Sequence, residues 1–446
     1  MALTGLEIYK LLPQTNCKEC GYPTCLAFAM KLAAKQAELK ACPYVTEEAK
    51  VKLEAASSPP MRLIEIGPAD HRLQVGNETV LFRHEKTFYH RPGLFWRLRD
   101  TEKPDDLKKK VAEADAYQVD YVGIDLTLDG FAIEAASGDP KTYSAAVAAV
   151  RAASQKPLIL IVTSPELAKA GLEAAGDSRP LLHAATAENW QAMAELAKSA
   201  KVPLAASAPD LEALAALTEN LTKAGLEDLV LDPGVANYRD SLEQLTIARR
   251  LALRKNFRPL GFPVITFPGA AGADETLLAA EHIAKYAGFI VLDTFDPASL
   301  YPLLVLRQNI YTDPQKPIQV QPGLYEINSP KPDSPVMVTT NFSITYFAVA
   351  NEVEGSGWPA WLVVADAEGM SVLTAWAAGK FDAERIAKSI KGLGIDQKVS
   401  HRKVLIPGHV AVLSGELEEE LPGWQILVGP REAVDISGYL KAMWTN

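Results

Sequence analysis

Cysteine is nearly absent from this chain: 446 residues contain four, and all four lie between positions 17 and 42. That confinement excludes a disulfide framework spread through the body of the protein and assigns the thiol chemistry to one end. Long hydrophobic runs are lacking too. PLILIV (157 to 162) and WLVVA (361 to 365) have strand length and fall far short of a membrane span. MALTGLEIYKLLP, at the start, has neither the basic start nor the long apolar stretch of a secretion signal, so the expected location is the cytoplasm. Basic residues are outnumbered, 45 Lys and Arg against 55 Asp and Glu, for a net charge of -10. Such a balance offers no electrostatic footprint for nucleic acid. There is no P-loop, complete G-x-G-x-x-G, H-E-x-x-H or D-x-H-x-x-G. His84, His90, His183 and His282 are scattered without ligand spacing and are expected to pack or to face solvent.

What is present begins with NCKECGYPTC (16 to 25) and Cys42-Pro43. Together they form a C-x2-C-x4-C-x16-C array of Cys17, Cys20, Cys25 and Cys42. A large chain in a reducing compartment favours metal binding over disulfides. Four thiolates also suit zinc, but structural zinc sites pair two short knuckles and only one exists here. Three close thiolates plus a remote one followed by proline fit the ligation of a cubane [4Fe-4S] cluster, which is favoured, with zinc and disulfides left open. Gly21 and Pro23 bend the loop, LAFAMKLAAKQAEL (26 to 39) predicts a helix, and residues 1–57 form a module whose slight core a cluster would reinforce.

Beyond a linker at ASSPP (56 to 60), strand-like runs alternate with alanine- and leucine-rich helical segments: TVLFRHE (79 to 85), YVGIDL (121 to 126), PLILIVT (157 to 163), PLLHAAT (180 to 186), VPLAASA (202 to 208), LVLDPG (229 to 234), PVITFPG (263 to 269) and GFIVLDT (288 to 294). Eight of them predict a TIM (β/α)8 barrel over 58–325, with a doubly wound sheet as the alternative. Asp125, Thr163, Ser207, Asp232, Thr266 and Asp293 end these runs, where chemistry would sit in a barrel, and are expected mainly to cap the following helices. After the proline-rich NSPKPDSP (328 to 335), residues 326–446 predict a small open α/β sheet with strands at VMVTTN, AWLVVADAEG, KVLIPG and WQILVGP. Ligands bind such sheets beyond the carboxyl ends of the strands. Thr340, Gly369, Ser371, Gly408 and Gly429 lie there.

This assembly, with NCKECGYPTC and the distant ACP at 41 to 43, resembles over its whole length the large (gamma) subunit of the corrinoid/iron–sulfur protein of the reductive acetyl-CoA pathway. The resemblance implies an N-terminal [4Fe-4S] domain ligated by Cys17, Cys20, Cys25 and Cys42, a TIM barrel, and a C-terminal corrinoid-binding domain. Such a chain carries methyl groups and has no catalytic residue of its own. Methyl from methyltetrahydrofolate reaches Co(I) through a separate methyltransferase and passes from methyl-Co(III) to acetyl-CoA synthase, while the cluster reactivates Co(II). Implied partners are the small subunit, as a heterodimer, the methyltransferase, acetyl-CoA synthase/CO dehydrogenase and an electron donor such as ferredoxin. Implied corrinoid contacts are Thr340, Thr345, Tyr346, Gly369, Met370, Ser371, Val372, Leu373, Thr374 and Ala433. The missing D-x-H-x-x-G agrees with a base-off corrinoid without a histidine ligand, because a strong axial donor stabilises the oxidised metal. Two rival readings are a pterin-dependent methyltransferase using Asp125, Asp232 or Asp293 of the barrel, and a zinc-stabilised scaffold.

Overall fold

A computed structural model describes residues 5–444, apart from 34–36, 38, 47–48, 51–52, 54–58, 122–123, 236, 272–273 and 314–317. The distal part of the helix expected at 26–39 and the linker boundary at residue 57 lie outside the described residues. The chain divides into two compact units, Met1–Tyr117 with Thr127–Tyr311, and Gln118–Leu126 with Thr312–Asn446. Among the described residues, no helix is long and apolar enough to cross a membrane.

In the first unit, helices Gly5–Leu11 and Cys25–Ala33 pack through Ile8, Leu12, Phe28 and Ala29 around a core that also buries Cys25, Cys42 and Val45. Strands then follow in chain order, with β4 and β5 belonging to the other unit: β1 (Ile64–Ile66), β2 (Leu73–Val75), β3 (Gly93–Arg99), β4 (Gln118–Tyr121), β5 (Ile124–Thr127), β6 (Gly130–Glu134), β7 (Leu158–Ile161), β8 (Leu181–Ala185), β9 (Leu204–Ser207), β10 (Leu229–Asp232), β11 (Val264–Thr266) and β12 (Ala287–Leu292). Parallel pairing of β3 and β6 to β12 closes the expected eight-stranded barrel. Alternation along the staves turns Phe95, Ala132, Ile159, Leu181, Ala205, Val230, Ile265 and Phe289 inward. At the end where the staves begin, Ile64, Ile66 and Val75 of the β1–β2 pair complete that apolar layer. Each fully buried aliphatic side chain of this kind contributes about 2 kcal/mol.

Two staves differ from expectation. TVLFRHE is irregular and leaves Phe82 exposed; the stave is β3, GLFWRLR. YVGIDL, whose residues 122–123 lie outside the described set, belongs to the separate β4–β5 ribbon, and the stave is β6, GFAIE. The helix caps also differ. Asp139, Ser164, Asp210, Asn237, Asp274 and Asp296 accept backbone N–H bonds at the starts of six barrel helices, each interaction being worth about 1 kcal/mol. Ser207, Asp232 and Asp293 are thereby free for other work.

The second unit is a five-stranded sheet formed by β13 (Gly323–Ile327), β14 (Val336–Thr340), β15 (Ala360–Ala365), β16 (Lys403–Ile406) and β17 (Gln425–Val428), in the order β13-β15-β14-β16-β17. β13 is an antiparallel edge that the sequence did not suggest; the other four strands are parallel. Val338, Val363 and Ile406 pack with Ile386 and Leu417 on one face, while Met337, Leu362 and Leu405 pack with Val353 and Leu440 on the other.

Candidate functional site

The cysteine loop is wound by left-handed backbone at Gln14, Asn16, Lys18 and Gly21. Gly21 N–H donates to the Lys18 carbonyl at 2.9 Å, and Cys25 N–H donates to Asn16 Oδ1 at 2.8 Å. Thr24 Oγ1 accepts from Ala27 N–H at 3.1 Å, so Cys25 opens a helix whose positive end favours an anionic sulfur. None of the four cysteines is in a disulfide; Cys17 is exposed, Cys25 and Cys42 buried. Burial pushes the Cys42 thiol up, the Tyr44 backbone pulls it down, and Cys20, Cys17 and Cys25 each raise it further, so all four thiols lie within electrostatic reach. Among the described residues, no three His, Cys, Asp or Glu side chains are placed to hold one metal ion. The donor set still fits a cluster. Its thiolates attach to different irons and need not converge to the roughly 3.8 Å sulfur spacing that one zinc would impose.

In the second unit the chain runs from β14 to β15 on one side and returns to β16 on the other, which makes the gap between β14 and β16 the switch point of the sheet. An open cleft of about 340 Å³ lies there. Helix Ser343–Ser356 contributes Ile344, Thr345, Ala348 and Val349; Ser371, closing the loop after β15, and Val372 and Leu373, opening helix Val372–Ala377, contribute the next wall. The ends of β16 and β17 contribute Pro407, His409, Gly429, Arg431, Glu432 and Ala433. Of the expected contacts, Thr345, Ser371, Val372, Leu373 and Ala433 therefore line one cleft. Thr374 is adjacent, its hydroxyl 3.0 Å from that of Ser371. The others do not line it. Thr340 is fully buried in β14, Tyr346 packs against Tyr325 at 4.9 Å, and Met370 packs on the core. Gly369 has φ +72°, and a Cβ there would strike the Gln319 side chain.

Sequence reasoning overlooked Asn341. Buried at the end of β14, it accepts from the N–H groups of Ala367 and Gly369 at 2.9 and 3.0 Å and donates to Gln319 Oε1 at 3.1 Å. It thus fixes the loop that presents Ser371 and Leu373. The signal was there: an asparagine closing an apolar strand, VMVTTN.

The barrel's C-terminal mouth holds a third group. One step past the apolar layer, the inward positions are Arg97, Glu134, Ile161, His183, Ser207, Asp232 and Phe267; Asp293, two steps past Phe289, stands level with Arg97 because Val291 is paired with Phe95. His183 Nε2 and Ser207 Oγ bond Asp232 Oδ2 at 2.8 and 2.9 Å, and Gly234 N–H donates to Asp232 Oδ1 at 2.9 Å. Burial alone would raise the Asp232 carboxyl, but these bonds and the His183 charge hold it below the ordinary carboxylate range. Arg97 pairs with Asp293, and the His183 ring meets Phe267 at 4.9 Å. His183 is thus part of a polar network, contrary to expectation. Of the six strand-end candidates, Ser207, Asp232 and Asp293 share this layer. Thr266 alternates outward, Thr163 is exposed, and Asp125 is exposed on β5 in the other unit.

A family model described as CO dehydrogenase/acetyl-CoA synthase delta subunit matches residues 63–440, and an Fe-S cluster model matches residues 12–44. The corrinoid/iron-sulfur protein large subunit of Moorella thermoacetica is 45% identical over 99% of this chain and 99% of its own length. The acetyl-CoA decarbonylase/synthase complex subunit gamma of Archaeoglobus fulgidus is 38% identical, covering 98% of both chains. Among solved structures, a dihydropteroate synthase from Xanthomonas albilineans covers 56% of this chain and 100% of its own, at 14% identity and a TM-score of 0.39, too slight a likeness to carry an argument. With matches running from end to end, this chain belongs to the family of corrinoid/iron–sulfur protein large subunits.

Proposed function

We propose that the protein is the corrinoid-bearing methyl carrier of an acetyl-CoA synthase system, divided into a cluster domain (1–57), a barrel (58–325) and a corrinoid domain (326–446). The cleft at the sheet's switch point carries this reading. It presents Ile344 and Leu373, 69% and 47% exposed, to solvent beside small and polar residues, as one wall of a site for a large, flat, amphipathic group. When bound, the corrinoid supplies a cobalt centre that takes up and releases methyl, and a [4Fe-4S] cluster supplies low-potential electrons. Val372 and Leu373 give the macrocycle an apolar floor, Thr345 and Ser371 offer hydroxyls to its amide rim, and Asn341 keeps their loop in place. Thr340, Tyr346, Gly369 and Met370 support that wall from behind, and Thr374 borders it. Cys17, Cys20, Cys25 and Cys42 hold the cluster.

In this reading methyl comes from methyltetrahydrofolate through a separate methyltransferase and leaves to acetyl-CoA synthase/CO dehydrogenase. A small subunit covers the exposed rim, a ferredoxin-type donor reduces the cluster, and the site of action is the cytoplasm. The cobalt is base-off and has no histidine ligand, although His409 lines the cleft. Metal analysis with cobalt electron resonance tests the proposal: about four iron atoms per cobalt are expected, without imidazole nitrogen splitting, and Cys20→Ala should lose iron while keeping cobalt. Zinc without cobalt would overturn it.

A further inference from the structure

The four cysteines come from two places that are restrained differently: three sit in one loop, and Cys42 follows only after sixteen intervening residues. The loop braces itself, with Gly21 N–H bonded to the Lys18 carbonyl and Cys25 N–H to Asn16 Oδ1. Cys42 is held locally: its N–H donates to the Leu39 carbonyl at 3.1 Å, and its sulfur accepts from Tyr44 N–H. A ligand that arrives across a long gap is the one most readily lost, because letting it go returns freedom to the segment between.

One side-chain bond spans that gap. Tyr44 Oη donates to Glu19 Oε1 at 2.8 Å, across 25 positions of sequence. Glu19 stands between Cys17 and Cys20, and Tyr44 two residues after Cys42, so the bond joins the loop to the remote segment right beside their cysteines. Cys17 and Cys42 both lie within electrostatic reach of the Tyr44 hydroxyl. A carboxylate acceptor makes the bond charge-assisted, and such bonds are roughly twice as strong as neutral ones. Tyr44 is 51% exposed and lies outside the core of Ile8, Leu12, Phe28 and Val45, so packing does not account for its position. We propose that Tyr44 and Glu19 are positioning residues that latch the Cys42 segment to the three-cysteine loop and so set how firmly the module retains iron. The latch rests on the cluster reading of the four cysteines and adds to it two residues that are not ligands.

The test uses the full-length protein with its cofactors, kept anaerobic and challenged with ferrozine, whose coloured ferrous complex reports iron release in time. Tyr44→Phe, which keeps the ring, and Glu19→Ala should each start with wild-type iron and release it roughly fivefold faster, with cobalt content unchanged. The double variant should release iron no faster than either single one, because both substitutions break the same bond. Glu19→Gln, whose amide oxygen still accepts from the phenol, should release iron more slowly than Glu19→Ala. Wild-type rates in Tyr44→Phe and Glu19→Ala, effects that multiply in the double variant, or equal rates in Glu19→Gln and Glu19→Ala would each overturn the latch while leaving the cluster reading intact. Wild-type protein without iron would overturn that reading, and the latch with it.

Discussion

His282 shows how one residue couples this fold to pH. Its ring is fully buried, neither nitrogen has a partner, and burial lowers its pKa to about 4 from 6.5. Between those values the unfolded chain binds a proton that the folded one refuses. Stability is therefore full above pH 6.5 and falls as pH drops toward 4, by at most about 3 kcal/mol. His282→Leu should flatten this acid limb in urea titrations across the window; an unchanged limb would assign it to other groups. Asn341 acts locally in the same sense. Asn341→Ala strands the buried N–H groups of Ala367 and Gly369, with an expected loss of about 2–3 kcal/mol. Amide exchange should rise at those two residues first, and protection there equal to wild type would remove Asn341 from its positioning role.

Among the elements, the two staves that the sequence concealed are instructive. Six staves read as plain apolar runs, but β3 reads GLFWRLR and β6 reads GFAIE. Both bring a charged side chain, Arg97 or Glu134, to the inward face of the mouth. Burial-based pattern reading discounts a strand that carries buried charge, so residues placed for polar chemistry hid the elements bearing them. The cysteine module was legible for the opposite reason: its ligands are close in sequence. Asn341 left a mark at the close of VMVTTN and Asp232 at the end of its run, but the groups they bond are brought in by the sheet and the barrel from distant positions, so their roles could not be read. The β1–β2 pair makes its own prediction. Ile66 is fully buried beneath the barrel's apolar layer, so Ile66→Ala should cost about 2–4 kcal/mol in denaturant unfolding. A change under about 0.5 kcal/mol would show that the pair is not part of the barrel core.

For the molecule as a whole, the three-part order of module, barrel and terminal sheet was legible, but the division into compact units was not. The β4–β5 ribbon lies between two barrel staves in sequence yet clusters with residues from Thr312 onward. Tyr121 packs in the core formed by Met337, Leu362 and Val364, and Asp120 lies close enough to raise the Tyr325 and Tyr346 hydroxyls, after burial. Tyr121→Ala should raise amide exchange in β13 and β15 and leave the barrel staves unchanged; loosening of the staves alone would contradict the assignment. This borrowed ribbon also imposes an order of assembly in time. During synthesis the ribosome releases residues 118–126 well before the residues they cluster with, so the ribbon reaches its final packing only after the last third of the chain has emerged.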